Sequence, residues 1–187
     1  MKQTLLFCLI ALSMTACQKK VDEQTPDLPT EPAKITIANP GFESGLTGWT
    51  IETAYKGEFG FKSDSTAKLY GKYGLSFYAA QPNHWPGNPQ ETPWNGRIYQ
   101  TVTGLKKGTY TVKLVGLAMG TGMYAYANGG GSDVKVAFRS DVWENYEFAI
   151  DVTATGTVKF GVLCIDAGGP QMWAPYINAD DFELWTK

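Results

Sequence analysis

Histidine and cysteine are nearly missing: 187 residues hold one His, His84, and three Cys, Cys8, Cys17 and Cys164. A four-ligand zinc site cannot be assembled from them without carboxylates, and neither H-E-x-x-H nor G-x-S-x-G occurs. A Ser-His-acid arrangement would have to use His84, between Asn83 and Trp85. Charge is scarce too, at 18%, and balanced, with Lys+Arg 16 against Asp+Glu 18 and a formal net charge of -2. No basic excess offsets a phosphate backbone, which argues against nucleic acid as a partner. No apolar run reaches the roughly 20 residues that a membrane-crossing helix needs. No segment carries a sustained 3.6-residue apolar stripe with a cap, so helix is expected to be close to absent. The length leaves room for one folded domain and a tail.

What is present begins with an address. Met1-Lys2, the apolar run Leu5 to Leu12 and the small residues up to Ala16 read as an export signal over residues 1–16. Ala16-Cys17 resembles the cleavage site of bacterial lipoproteins, although Met14 stands where that family prefers Leu; the resemblance implies that Cys17 becomes the acylated first residue. Cys8 is then discarded and Cys164 is left without a disulfide partner. In the run from Thr157 to Ile165, Cys164 shares the parity of Val158, Phe160 and Val162, as a buried small apolar residue would. Residues 17–33 are polar and punctuated by Pro26, Pro29 and Pro32, which reads as a flexible tether. Fully extended, it would reach roughly 50 Å at about 3.3 Å per residue. Its mixed charge resembles the export tags of surface lipoproteins in glycan-degrading Gram-negative bacteria. That implies an outer-membrane anchor, a cell-exterior face and glycan-uptake proteins as partners.

From residue 34 to 187 the period is two. Leu75 to Tyr78, Arg97 to Val102, Tyr110 to Leu114, Val134 to Phe138 and Phe182 to Leu184 alternate between apolar and other residues, with Gly or Pro in the gaps. About eight or nine short strands imply an all-β fold, a two-sheet antiparallel β-sandwich of jelly-roll type. Gly104 to Gly108 reads as a hairpin connection and Asn128 to Asp133 as a turn or loop. The stretch from Gln81 to Gly96 holds four prolines with His84, Trp85 and Trp94, a composition expected of a stiff functional loop.

Candidate chemistry follows from parity. Glycoside hydrolysis needs two carboxylates about 5 to 9.5 Å apart, and the acidic run Asp141 to Glu147 fails locally because Glu144 and Glu147 fall on opposite faces of a strand. A pair drawn from Glu58, Asp64, Glu91, Asp133, Glu144 or Asp166 would be the catalytic alternative, a small jelly-roll glycosidase or lyase. Asn39 to Glu43 opens the domain and Asn178 to Leu184 closes it, so first and last strands are expected to meet at one sheet edge. Asp180 would share the core face of Phe182 and Leu184, compensated either by calcium, with Glu43 as a second ligand, or by backbone amides or a lysine. Tyr124, Tyr126 and Asn128 share one face, Arg97 and Tyr99 lie opposite Ile98, and Trp85, Trp94 and Trp173 sit in Pro/Gly-rich segments. Rings that stack on sugar C–H faces, beside groups that bond hydroxyls, make these the candidate carbohydrate-binding residues. Trp49 and Trp143 are read as packing residues.

The domain resembles the carbohydrate-binding modules of the galactose-binding-like jelly-roll superfamily. The resemblance is carried by Asn39-Pro40-Gly41-Phe42-Glu43-Ser44-Gly45 with Gly48-Trp49, Ile98-Tyr99-Gln100-Thr101-Val102 with Leu105, Gly108 and Tyr110, Trp143 before Phe148, and Asp180-Asp181-Phe182-Glu183-Leu184. Ala127 to Gly130, Gly161-Val162, and Ala167-Gly168 to Trp173 look most like the modules that bind β-1,4-galactan. The resemblance implies a non-catalytic polysaccharide binder. It also implies a structural calcium held by Glu43 and Asp180.

Overall fold

The computed structural model describes residues 31–53, 60–78, 94–168 and 175–187. Among these residues there is no helix, and eleven strands take the place of the eight or nine expected. They are β1 Lys34–Ile35, β2 Thr50–Thr53, β3 Phe61–Asp64, β4 Gly74–Tyr78, β5 Trp94–Val102, β6 Gly108–Met119, β7 Thr121–Asn128, β8 Val134–Ala137, β9 Glu144–Val152, β10 Val158–Gly168 and β11 Tyr176–Thr186. One sheet runs β3-β4-β11-β6-β9, with β1 beside the far half of β11; the other runs β2-β5-β10-β7-β8. Every pairing is antiparallel. This is the two-sheet jelly-roll sandwich that the period of two implies.

The core is the set of inward positions from both sheets. Val112 and Leu114 of β6, Ile150 and Val152 of β9, and Ile177, Ala179, Phe182 and Leu184 of β11 face Ile98, Met123, Ala125, Ala127, Val158, Phe160 and Val162 of the second sheet. Trp49 stacks on Phe42 at 4.7 Å between ring centroids and meets Phe182 edge-on at 4.9 Å. That quartet with Phe160 accounts for Trp49 as a packing residue. Cys164 is buried at 1% exposure in this core, and burial pushes its thiol pKa upward.

Two local expectations are corrected. Residues 39–48 form turns rather than a first strand: Asn39 donates to the Gly45 carbonyl at 2.9 Å and accepts from Ser44 N–H at 2.9 Å, and Asn39 and Phe42 take positive φ values of 44° and 59°. The first and last strands do meet, as expected: β1 pairs antiparallel with β11, Lys34 opposite Trp185 and Ile35 opposite Leu184, while β11 itself is interior to its sheet, flanked also by β6 and β4. The turn at 39–48 is tied to β11 as well, by Phe182 N–H donating to the Pro40 carbonyl. Gly104 to Gly108 is a crossover between sheets, because β5 lies in one and β6 in the other. Asn128 to Asp133 does connect a paired hairpin, β7 with β8.

Candidate functional site on the second sheet

The outward positions of β5, β10 and β7 form one surface. Gly161 of β10 stands opposite Tyr99 on one side and Tyr126 on the other, and Leu163 stands between Arg97 and Tyr124. Tyr99, Tyr126, Leu163 and Tyr124 pack as a small cluster separate from the core. Parity therefore placed the three tyrosines on the expected face. Their exposure differs from expectation: Tyr126 is 0% exposed and Tyr99 5%, so neither ring offers a free face for stacking, which corrects their assignment as platform residues. Glycine at 161 puts no side chain between them, and a Cβ there would lie 2.1 Å from the Ile98 carbonyl oxygen. Tyr124 remains half-buried, with the Lys135 ammonium 5.7 Å from its ring centroid.

A charged network rims the cluster. Glu52 of β2 stands opposite Arg97 and accepts from its Nε at 2.7 Å and Nη2 at 2.6 Å, and the Tyr99 hydroxyl donates to the other carboxylate oxygen. The Tyr99 bond, then the Arg97 bond, holds the Glu52 carboxyl below its usual range; the same bond and burial push the Tyr99 phenol upward. Arg97 and Lys159 lie 5.6 and 4.8 Å from the Tyr99 ring centroid. The Tyr126 hydroxyl is buried without a hydrogen-bond partner among the described residues, and burial pushes its pKa upward. Asn128, opposite Lys159, lies on the same side by parity, but its side chain is engaged in the adjacent turn. Its amide donates to the Gly131 carbonyl and to Asp133, and accepts from Gly130 N–H, so it holds the β7–β8 turn.

Beside the cluster lies a trough of about 380 Å³ lined by Glu52, Thr53, Asn95, Gly96, Arg97, Leu163, Cys164 and Ile165. At its end β10 bulges between Cys164 and Ala167, and Asp166, at φ 46°, exchanges two 3.0 Å hydrogen bonds with the Asn95 side chain. The trough pairs apolar Leu163 and Ile165 with a guanidinium, a carboxylate and an amide. That is the lining of a site for a ligand with both C–H and hydroxyl surface. Sequence reading missed Glu52, Asn95, Leu163, Ile165 and Lys159, because their adjacency to Arg97 and Tyr99 exists only through strand register. The backbone of Trp94 pairs with Ala167 at this end, while Trp85, Trp173 and His84 lie outside the described residues, as does Cys17.

Among the described residues, the carboxylates named for the catalytic alternative are each engaged locally. Glu58 and Glu91 lie outside the described residues. Asp64 binds Lys62 and Thr66, Asp133 binds Asn128, Glu144 accepts from the Tyr146 hydroxyl and Asp166 binds Asn95, each on a different element.

Glu43 and Asp180 converge on one short segment, residues 69–73. Leu69 and Tyr70 N–H groups donate to Asp180 Oδ2 at 3.1 Å each, Asp181 N–H to Oδ1 at 2.9 Å, and Lys72 and Tyr73 N–H groups to Glu43 Oε1 at 2.7 and 3.2 Å. Asp180 follows the core residue Ala179 and precedes a bulge that ends at Glu183, so it points away from Phe182 and Leu184, contrary to its expected parity. It is nevertheless only 1% exposed, and burial pushes its carboxyl upward. Two hard oxygen ligands with one buried charge fit calcium in kind. Five amides already compensate them, and among the described residues no three His, Cys, Asp or Glu side chains gather as a metal group.

No family model matches the chain, and no curated protein matches it. Solved structures do. TmCBM61, solved in complex with beta-1,4-galactotriose, aligns with a TM-score of 0.56 at 22% identity, covering 81% of this chain and 97% of that one. A second module, Family 16 Carbohydrate Binding Module-2, aligns at 0.54 and 16% identity over 79% and 97%. The K1 cleaved adhesin domain of Lys-gingipain from Porphyromonas gingivalis aligns at 0.54 and 14% identity over 84% and 99%. The fold is that of the jelly-roll carbohydrate-binding modules.

Proposed function

We propose that this chain is a non-catalytic, lipid-anchored glycan-binding protein whose outer second-sheet face holds a neutral β-linked polysaccharide, with β-1,4-galactan first. The trough carries this reading: Leu163 and Ile165 supply apolar contact while Arg97, Glu52 and Asn95 supply hydroxyl partners. The fold likeness to a module solved with β-1,4-galactotriose supports the choice of sugar. Trp85, Trp94 and Trp173 are proposed as the stacking rings, as the sequence suggested. Each ring would remove about 100 Å² of apolar surface from water, worth roughly 2.5 kcal/mol before ordering costs. Affinity is therefore expected in the micromolar to millimolar range.

A glycan panel of galactan, arabinogalactan, xylan, glucan and mannan, followed by calorimetry with galacto-oligosaccharides, tests this. Each Trp→Ala change is expected to weaken binding about ten- to seventyfold, and Arg97→Ala to change which sugar is accepted. Release of reducing ends would replace the reading with the jelly-roll enzyme; no glycan binding at all would leave a protein-interaction module of an uptake complex. A calcium ion held by Glu43 and Asp180, structural and away from the second-sheet trough, is proposed with it.

A further inference from the structure

The opposite face of the molecule carries a second groove, which the reading above leaves unused. It lies on the outer side of the first sheet, has a volume of about 340 Å³, and is lined by Tyr70, Lys113, Val115, Asn145, Glu147, Asp181 and Glu183. That volume is at the lower end of the range for small-molecule sites. Register builds it: Lys113 of β6 lies between Glu183 and Glu147, and Val115 between Asp180 and Asn145. Val115, 8% exposed, is the apolar floor. One wall is Tyr70, at 58% the most exposed tyrosine among the described residues, on the segment whose amides bind Asp180 and Glu43. A large ring is thus held out by a loop tied down at both ends.

The other wall contains Asp181. It sits in the β11 bulge at φ 47°, a conformation that is uncommon for a residue with a side chain. Bulges re-aim side chains, and here the bulge separates Asp181 from the regular alternation of β11. Its carboxylate accepts no hydrogen bond among the described residues, whereas Lys113 pairs with Glu147 at 3.0 Å and Glu183 with Lys34 and the Trp185 indole N–H. The groove continues along β6 into a depression lined by Thr111, Lys113, Glu147 and Trp185. Aromatic rings therefore stand at both ends, Tyr70 and Trp185, with polar groups between.

We propose that this groove is a second glycan site, so that the domain is bivalent. Three carboxylates, Asp181, Glu183 and Glu147, face one lysine within it, which suits hydroxyl donors and repels uronates. The ligand class is a neutral polysaccharide; Asp181 accepts from its hydroxyls, Asn145 bonds on the facing wall and Tyr70 stacks. The proposal rests on the glycan-binding reading. Because the two sites lie on opposite faces of the sandwich, a single straight chain cannot fill both, and the protein bridges two chains. Bridging raises avidity without any new contact.

The test is calorimetry of the protein with β-1,4-galactotetraose, together with turbidity of soluble β-1,4-galactan. Wild type is expected to take up two equivalents and to cloud the polymer. Tyr70→Ala should leave one equivalent and no turbidity. Asp181→Asn, which tolerates the same backbone conformation, should weaken that equivalent about tenfold. Arg97→Ala should weaken the other. One equivalent in wild type that Tyr70→Ala leaves intact would overturn the second site and leave the first standing. One equivalent lost with Tyr70→Ala but not with Arg97→Ala would keep this groove and overturn the second-sheet site. No uptake of this sugar by wild type would overturn both for galactan, and sugar release abolished by Asp181→Asn would make the groove catalytic instead.

Discussion

Asp180 is the residue on which burial and charge conflict most. At 1% exposure its carboxyl is pushed upward by desolvation, and the amides of Leu69, Tyr70 and Asp181 offset part of that penalty. Like-charged Glu43 and Glu183 act on its neighbour Asp181, whose carboxyl is also pushed upward, first by burial. A cation at Glu43 and Asp180 would relieve both. An ion bound only by the folded state adds RT ln(1 + [L]/Kd), about 2.7 kcal/mol at roughly 100 times Kd. Chelation is expected to lower the melting temperature, and Glu43→Ala and Asp180→Ala to abolish the calcium response. Asp180→Ala should itself cost about 1–3 kcal/mol through the amides it leaves unpaired. Unchanged melting in chelator, with no calcium found by elemental analysis, would leave amide compensation as the whole account.

Among the elements, the strandless segment between β3 and β4 carries the contacts to both Glu43 and Asp180. It is shaped by Gly71, at φ 62°, where a Cβ would lie 1.9 Å from Glu43 Oε1. Gly45 has a similar φ of 66° but open space around it. Comparing the two separates backbone strain from the contact. Gly45→Ala is expected to cost about 1 kcal/mol, and Gly71→Ala clearly more, with faster amide exchange at Lys72 and Tyr73. Equal melting temperatures for the two variants would show that Glu43 does not hold the segment.

For the whole molecule the question is where the sandwich is held. The proposed anchor is the acylated Cys17, since stable attachment takes more than one acyl chain at about 0.8 kcal/mol per buried methylene. Cys17→Ala is expected to move the protein from the membrane fraction to the soluble one, and equal retention of both forms after lipid labelling would exclude the anchor. The proposed tether, up to roughly 50 Å when fully extended, would set how far from the membrane the sandwich can reach.

The all-β class, the buried parity of Cys164, the packing role of Trp49 and the shared face of Tyr124 and Tyr126 were legible from order alone, because a period of two makes neighbours point to opposite sides of a sheet. Asn39-Pro40-Gly41-Phe42-Glu43 and Asp180-Asp181 were legible as a pair, but not as turn and bulge. A bulge breaks the alternation that the reading relies on, and it sent Asp180 to the other face. Depth was not legible either: that Tyr126 is covered and Tyr70 is open depends on which strands and loops pack beside them. Register between segments distant in sequence decided the rest. It set Glu52 against Arg97, Lys113 between Glu183 and Glu147, and so created both grooves, since side chains opposite one another across strands are chosen by pairing and not by sequence proximity.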